Sequence, residues 1–331
     1  MNRAALFCIC FALGIGGCRK QPSYEVWRPS DPTYVPFDVH EIVIAPGNRY
    51  AALTMKDATS EYAVYVLDLQ TGGHRRLGDD GLVRSTRTDE SIYSELDHST
   101  KPLTLLHGLE AQTIDVGKHD GGWWNAKSGT FIFANDWPQD REGFISLGLL
   151  NLDTKKTISV KIQQPSEHVG ICPATGKFYS EHLSTSNKWG AEEYDPSGNF
   201  LRIIDSDLAV YSADCSYVLP FSAIPLHGPD DWSVLDAASG SLVMDLPWKE
   251  DSKTRQHLFH SWNPVNGNLL LMFSMEVPSA NNDTIDLMDV KQKTILKSWP
   301  NPEKSPPREW SPDGEATVTV RDHHIVFEPF K

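Results

Sequence analysis

Motifs that mark several common enzyme classes are missing from this sequence. It contains no G-x-S-x-G nucleophile elbow, no H-E-x-x-H zinc helix, no paired C-x-x-C motifs and no phosphate-binding P-loop. The segment 143–148 has a serine without the elbow spacing, and 281–286 lacks the glycine and the terminal glutamate of a calcium loop. We therefore expect no cofactor and no catalytic residue of these classes.

Basic residues are outnumbered. The chain has 30 Lys and Arg against 44 Asp and Glu, for a net charge of −14. No stretch interleaves basic with aromatic residues, which is the pattern expected of a nucleic-acid surface. The composition thus predicts no nucleic-acid partner, and an acidic body is not expected to lie flat on anionic lipid.

A long apolar run occurs only at the N-terminus. Arg3 precedes an apolar stretch, 4–15, that is too short for a stop-transfer helix. It ends in Ile15-Gly16-Gly17-Cys18, which resembles the lipobox of bacterial lipoproteins. The resemblance implies that residues 1–17 are a signal peptide and that Cys18 is lipidated, so that several acyl chains anchor the protein.

The residues after the lipobox refine this expectation. Arg19 follows the cysteine, which in the lipoprotein resemblance favours the outer membrane. We expect a lipoprotein facing the periplasm or the cell surface, attached through its N-terminal lipid only. Residues 18–36 hold Cys18, a polar, Pro-rich tether and a ring-closing strand, and residues 37–331 form the folded domain.

Cysteine is nearly absent from the rest of the chain. Of five cysteines, Cys172 and Cys215 alone follow Cys18. An oxidising compartment permits a disulfide between them. Because they occupy different positions of neighbouring repeat units, we expect two buried, unpaired thiols, with a disulfide as the alternative.

Short strands and tight turns fill the sequence instead. Segment 42–77 reads as three apolar strands and the start of a fourth, with turn residues at Pro46–Asn48 and Asp68–Gly72. The position of Pro46, two residues after an apolar residue and before a turn of small residues, recurs at Ala126, Pro173, Ala213, Pro264 and Pro312. The average spacing is about 44 residues if the unit between 78 and 122 has lost its marker, which gives seven units.

A second marker keeps the same order along the chain. The hairpin residue Asp68, after the third strand, recurs as Asn151, Asp195, Asp236 and Asp289. The segments Trp310–Gly314 and Tyr65–Gly72 together resemble the WD40-like repeat of the TolB family. The resemblance implies an all-β fold, a single seven-bladed β-propeller with four-stranded antiparallel blades; six or eight blades are the alternatives.

The two chain ends together supply one further unit. About half a repeat follows Pro312 and the other half precedes Pro46. We therefore expect a ring closed by N- and C-terminal strands, with Tyr24–Trp27 as the fourth strand of the last blade. Such closure leaves no open sheet edge at the ends of the ring.

Tryptophans fall into two groups. Trp124, Trp262 and Trp310 recur at one repeat position, which predicts packing between blades. Four others lie outside that position and are candidates for a binding surface, since exposed Trp is a typical interface anchor: Trp123, Trp137, Trp189 and Trp232. We expect no metal site; His257 and His260, which lie close together before Trp262, are the side chains that would ligate a metal if one bound.

These observations predict a non-catalytic, lipid-anchored scaffold of the bacterial cell envelope that binds a protein or an envelope ligand. The alternative is a carbohydrate-active enzyme, a lyase or hydrolase, with its active site in the funnel of the propeller. Some lyases that act on acidic sugars use such a site with a metal.

Overall fold

The computed structural model describes residues 27–330 apart from 29, 59–61, 80, 95–100, 136–145, 163–168, 184–188, 205–208, 221–232, 247–254, 277–283 and 301–307. Within these residues 27 β-strands form seven antiparallel sheets. No helix in the described ranges has the length and apolar character needed to cross a membrane.

Each sheet is a consecutive meander. The first three are β1 (Asp38–Ile44), β2 (Tyr50–Lys56), β3 (Ala63–Asp68), β4 (His74–Gly78); β5 (Leu82–Ser85), β6 (Glu90–Ser94), β7 (Leu103–His107), β8 (Glu110–Ile114); and β9 (His119–Asn125), β10 (Thr130–Asn135), β11 (Ser146–Asn151), β12 (Lys156–Lys161). The next two are β13 (Val169–Ile171), β14 (Phe178–Leu183), β15 (Trp189–Tyr194), β16 (Phe200–Ile204); and β17 (Ala209–Tyr211), β18 (Tyr217–Pro220), β19 (Ser233–Asp236), β20 (Leu242–Asp245). The last two are β21 (Arg255–Trp262), β22 (Leu269–Glu276), β23 (Thr284–Asp289), β24 (Thr294–Pro300); and β25 (Glu309–Trp310), β26 (Ala316–Arg321), β27 (His324–Pro329).

The sheets are the blades of a seven-bladed β-propeller, as the repeat predicted. We number the blades 1 to 7 and label the strands of each blade A to D in chain order. The A strands of neighbouring blades contact one another, so strand A is innermost. The unit without a marker forms blade 2, with strands β5 to β8.

N-terminal residues complete blade 7, but not the ones expected. Tyr34 bridges His324, and the backbone N–H groups of Val35 and Ile325 donate to His323 and Thr33 at 2.8 and 3.0 Å. Of the segment expected to supply this strand, Tyr24–Trp27, residues 24–26 lie outside the described residues. Trp27 stacks on His74 of blade 1, with ring centroids 4.3 Å apart. Buried Tyr34 and Val35 carry the apolar contact that closure requires.

The core is divided among the interfaces between blades. Seven apolar clusters occur in the described residues, one for each pair of neighbouring blades. Trp262 and Trp310 pack in two of them, as predicted, and their indole N–H groups donate to the carbonyls of Val210 and Ser261 on the preceding strand A, at 3.0 and 2.9 Å. A polar indole N–H is thereby satisfied inside an apolar interface.

Cys172 and Cys215 form a disulfide, so the expectation of two unpaired thiols was wrong. Their Cα atoms are 5.7 Å apart. Cys172 follows β13 and Cys215 lies in the turn after β17, and these strands are the contacting A strands of blades 4 and 5. Different positions in the repeat did not separate the thiols because a turn residue with a positive φ, 59° at Cys215, lies beside the end of the neighbouring A strand.

The second sequence marker also has a structural basis. Asp68, Asn151, Asp195, Asp236 and Asp289 each begin a C–D turn and accept a backbone N–H two or three residues ahead, at 2.8–2.9 Å. This local bond fixes the tight turn, which explains why Asp or Asn recurs there.

Candidate functional site in the central channel

The two faces of the ring differ in construction. A–B and C–D turns share one face, and B–C and D–A connections share the other, because each blade is a meander. On the turn face, neighbouring A–B turns are linked directly: Asn125 donates to the Gly176 carbonyl at 2.7 Å, Asn263 to Gly314 at 2.9 Å, and Asn48 to Asp313 at 2.8 Å. The opposite face, with longer connections such as 136–145 and 221–232, is named the connection face.

The A strands can be aligned on one common reference position. It is the residue whose backbone N–H pairs across the A–B turn: Ala45, Thr86, Asn125, Cys172, Ser212, Asn263 and Ser311. The residues two positions earlier are Val43, Arg84, Trp123, Gly170, Val210, Ser261 and Glu309. All but buried Gly170 are half-buried. These seven residues, one from each innermost strand, encircle the axis and are named the axial ring.

The two charged members of the axial ring lie on either side of blade 1. Glu309 of blade 7 and Arg84 of blade 2 both interact electrostatically with Glu41, which lies on β1 between them. Glu309 also hydrogen-bonds Ser261 of blade 6, and Arg84 Nε donates to the Gly122 carbonyl of blade 3 at 3.2 Å. Side chains from four consecutive A strands and a backbone carbonyl from the fifth therefore form one polar arc.

Close backbone packing helps to place Arg84. A Cβ added at Gly122 would collide with the Phe131 ring, so only glycine fits this point of β9. Arg84 also donates from Nη1 to the Val83 carbonyl at 3.4 Å, and it has no ion pair with a carboxylate among the described residues. The guanidinium is therefore held by backbone carbonyls, with its charge near Glu41 and Glu309 but not in contact with either.

Burial shifts the pKa values of Glu309 and Arg84 in this arc. Desolvation, reinforced by the negative charge of Glu41, raises the pKa of Glu309 to about 8. Burial also lowers the pKa of Arg84 from its usual value, against the opposing effect of both carboxylates. Glu309 keeps some accessible surface although protein surrounds it, a combination that a narrow, solvent-reaching channel produces. At neutral pH Glu309 is mainly a neutral acid.

The arc can donate, accept and balance charge. A protonated Glu309 is a hydrogen-bond donor, Glu41 is an acceptor, and Arg84 is a planar cation with unused N–H groups. A few converging polar groups beside apolar ones, here Trp123, Val43 and Val210, are typical of a small-molecule site. The arrangement suits a polar ligand that enters along the axis.

The predicted binding tryptophans divide between the channel and the connection face. Trp123 belongs to the axial ring, where it packs against the core cluster between blades 3 and 4. Trp189 begins β15, directly after the B–C connection of blade 4, and its side chain lies outside the described part. Trp137 and Trp232 fall in the B–C connections of blades 3 and 5, outside the described residues. A binding role for the four tryptophans remains a prediction.

The remaining candidates lie beyond what the structure describes. His257 and His260 have backbone positions in β21, the strand that carries Ser261, but their side chains are not described. Cys18 lies outside the described residues. Among the side chains that are described, no group of three His, Cys, Asp or Glu residues could hold a metal ion.

Sequence reasoning did not find Glu41, Arg84 and Glu309. The signal was present in the register: in the six units with a marker, the axial-ring residue stands immediately before the apolar residue that identified the repeat, as Glu309 stands before Trp310. Reading that column across the blades collects Arg84, Trp123 and Glu309 together. These side chains converge because the blades form a ring, and no local sequence motif encodes their proximity.

Comparisons with known proteins agree with the propeller fold. No family model and no curated protein matches the sequence. A chain of Kuenenia stuttgartiensis hydrazine synthase matches with a TM-score of 0.54 and 12% identity, covering 96% of this chain and 99% of that one. A chain of the mitotic checkpoint complex matches with a TM-score of 0.52 and 11% identity, covering 97% and 99%. These likenesses show the fold alone.

Proposed function

We propose that this protein is a non-catalytic, lipid-anchored scaffold of the bacterial cell envelope that binds a protein or an envelope ligand. The observation that carries the proposal is the axial ring, in which the blades place chemically diverse groups around one channel. A ring kept only for packing would favour similar apolar residues, whereas Arg84, Trp123 and Glu309 offer a charge, an aromatic face and an acid.

Two further observations support the envelope location. The lipobox resemblance at Ile15–Cys18 assigns a lipid to Cys18. The disulfide between Cys172 and Cys215 is typical of proteins that fold in an oxidising compartment, since the cytosol keeps thiols reduced. Both are expected of an exported member of a TolB-like propeller family.

Anchoring and binding are tested separately. Cys18→Ala should release the full chain from membranes into the soluble fraction; retention of the variant in the membrane would contradict the lipid anchor. Pull-down from envelope extract should recover a reproducible partner with the wild-type chain and lose it with Arg84→Met or Trp123→Ala. Recovery that neither these variants nor loss of Trp137, Trp189 and Trp232 alters would contradict binding at the proposed surfaces.

The second candidate is an enzyme acting on carbohydrate within the channel. One specific observation favours it: Glu309, with a pKa of about 8, lies near a second carboxylate, Glu41. Glycosidases use a pair of carboxyl groups, one of them protonated, for their acid and base roles. Turnover of envelope glycans by the wild type, lost in Glu309→Gln and Glu41→Gln, would establish it; absence of turnover favours the scaffold.

A further inference from the structure

A cavity lies where blades 7 and 1 meet on the turn face. Its volume is about 290 Å³, and its lining includes Asn48, Ser311, Asp313, Glu315, Phe327 and Pro329. This volume is at the lower end for small-molecule pockets, so it suits a single side chain or a small organic ion. We call it the seam pocket.

The seam pocket exists because the closing strand is short. Thr33–Val35 pairs with residues 323–325 at the start of β27, and the preceding chain turns away where the Asp31 N–H donates to the Arg28 carbonyl. Within the described ranges no strand lies outside the later part of β27. In the other blades, strand D covers the corresponding surface of strand C. In blade 7, Phe327 and Pro329 therefore form an apolar wall that no strand D of the described chain covers.

The polar lining consists of acceptors. Asp313 accepts bonds from Ser311 Oγ, the Glu315 N–H and Asn48 Nδ2 at 2.6, 3.0 and 2.8 Å, and these bonds hold its pKa below the usual range. Asn48 Oδ1 is buried and has no hydrogen-bond partner among the described residues. The Glu315 carboxylate is exposed and has no side-chain partner there either.

The lining contains no cationic side chain, and each of its two side-chain donor groups already makes a hydrogen bond. Asn48 Nδ2 and Ser311 Oγ both donate to Asp313. A matching ligand must therefore bring a positive charge, several hydrogen-bond donors and a short apolar stem to lie against Phe327 and Pro329. A primary ammonium group has three donors and no acceptor.

We infer that the seam pocket is a binding site for an alkylammonium group, as carried by a lysine side chain or a small aliphatic amine. The corresponding turn of blade 5 lacks such a site. In blade 5, Asp214 accepts bonds from Ser212 Oγ and the Ser216 N–H, as Asp313 does in its own turn. There Gly267 of blade 6 packs so closely that an added Cβ would collide with the Asp214 carboxylate, which leaves no room for a ligand.

The test uses the full chain and two small probes. n-Butylammonium is titrated while the side-chain amide resonances of Asn48 are followed by NMR, and 1-pentanol serves as the neutral probe of similar shape. Saturable shifts with a millimolar dissociation constant are expected for the cation and not for the alcohol. N-acetyl-lysine-methylamide distinguishes a peptide lysine from a free amine: equal or tighter binding indicates a protein source.

Matched variants locate the site. Glu315→Gln, which touches no turn bond, should weaken n-butylammonium about fivefold, since a partly exposed ion pair is worth up to ~1 kcal/mol. Asp313→Asn should weaken it more, and Asp214→Asn in blade 5 should leave it unchanged. Equal response to 1-pentanol, no saturable shift, or wild-type affinity in Glu315→Gln would each overturn the proposal. So would tighter n-butylammonium binding by Lys331→Met than by the wild type, because the chain would then be filling its own pocket.

Discussion

The interface between blades 4 and 5 and the seam between blades 7 and 1 hold the ring by different means. The first has the smaller apolar cluster in the described residues, Cys172 and Tyr179 with Tyr211 and Cys215 against them, and it is covalently joined. The seam has a larger cluster, including Val35, Ile42, Leu53 and Val318, but joins the two ends of the chain without a covalent bond. A closed ring is thus fastened by a cross-link at one interface and by apolar burial at another.

The two interfaces also differ in how a buried carboxyl group is stabilised. In blade 4 the buried Glu193 accepts a bond from Tyr179 and pairs with Lys177 at 2.8 Å and Arg202 at 2.5 Å, which together hold its pKa below the usual value despite burial. At the seam, Glu309 faces the like charge of Glu41. One buried acid is neutralised by cations and the other by a proton.

The largest expected effect comes from removing the closing segment. A chain of residues 37–331 loses Tyr34, Val35 and their backbone bonds, about 2 kcal/mol for each buried side chain and about 1 kcal/mol for each of two bonds, or roughly 6 kcal/mol. Urea unfolding of residues 37–331 and 27–331 measures the difference. Equal unfolding midpoints would contradict closure by Thr33–Val35.

The second largest loss of stability is expected from removing the disulfide. The double variant Cys172→Ser with Cys215→Ser opens a loop with a sequence separation of 43 and should lose about 4 kcal/mol through the greater entropy of the unfolded chain. Guanidinium unfolding measures it, and a reductant should shift the wild type but not the variant. An unchanged midpoint would show that the Tyr179–Tyr211 contact suffices at this interface.

The seam should lose stability as the pH rises. Glu309 has a folded pKa of about 8 and an ordinary value of 4.5, so between these values the unfolded state releases its proton first and stability falls as pH rises. Glu309→Gln removes this loss and should be more stable than the wild type at pH 7 by about 3 kcal/mol. Thermal unfolding from pH 4 to 9 measures it. Parallel curves for the two proteins would mean that Glu309 is ionised in the folded state.

The smallest effect concerns the turn contact across the seam. Asn48→Gly removes the bond to Asp313 while preserving the backbone, because Asn48 has a φ of 58° that glycine adopts freely. A loss of at most about 1 kcal/mol is expected for this exposed bond. Asn48→Asp, which places two carboxylates together, should cost more at pH 7 and recover in acid; the reverse order would argue against contact between these turns.

The sequence was informative where structure is local and repeated. Turn residues such as Asp68 and Pro46 act within their own hairpin, so their recurrence predicted strands, blades and blade number. The disulfide, the position of Thr33–Val35 and the axial ring depend on contacts between units, which no local pattern encodes. Arg84 illustrates this: in its strand it is one polar residue, and its neighbours Glu41 and Gly122 come from the blades on either side.

The pairing of chain ends in blade 7 also dictates an order of events in folding. His323 Nδ1 lies 3.0 Å from the Val35 carbonyl across a sequence separation of 288 residues. During synthesis, the first blades can form hairpins long before the last residues emerge. The backbone of Val35, however, has no strand to pair with until β27 has been made. Contacts of such separation are slow to form. Ring closure is therefore a late, cooperative step, and until it occurs the backbone of Thr33–Val35 and the apolar face of Val35 are exposed to aggregation or to a chaperone.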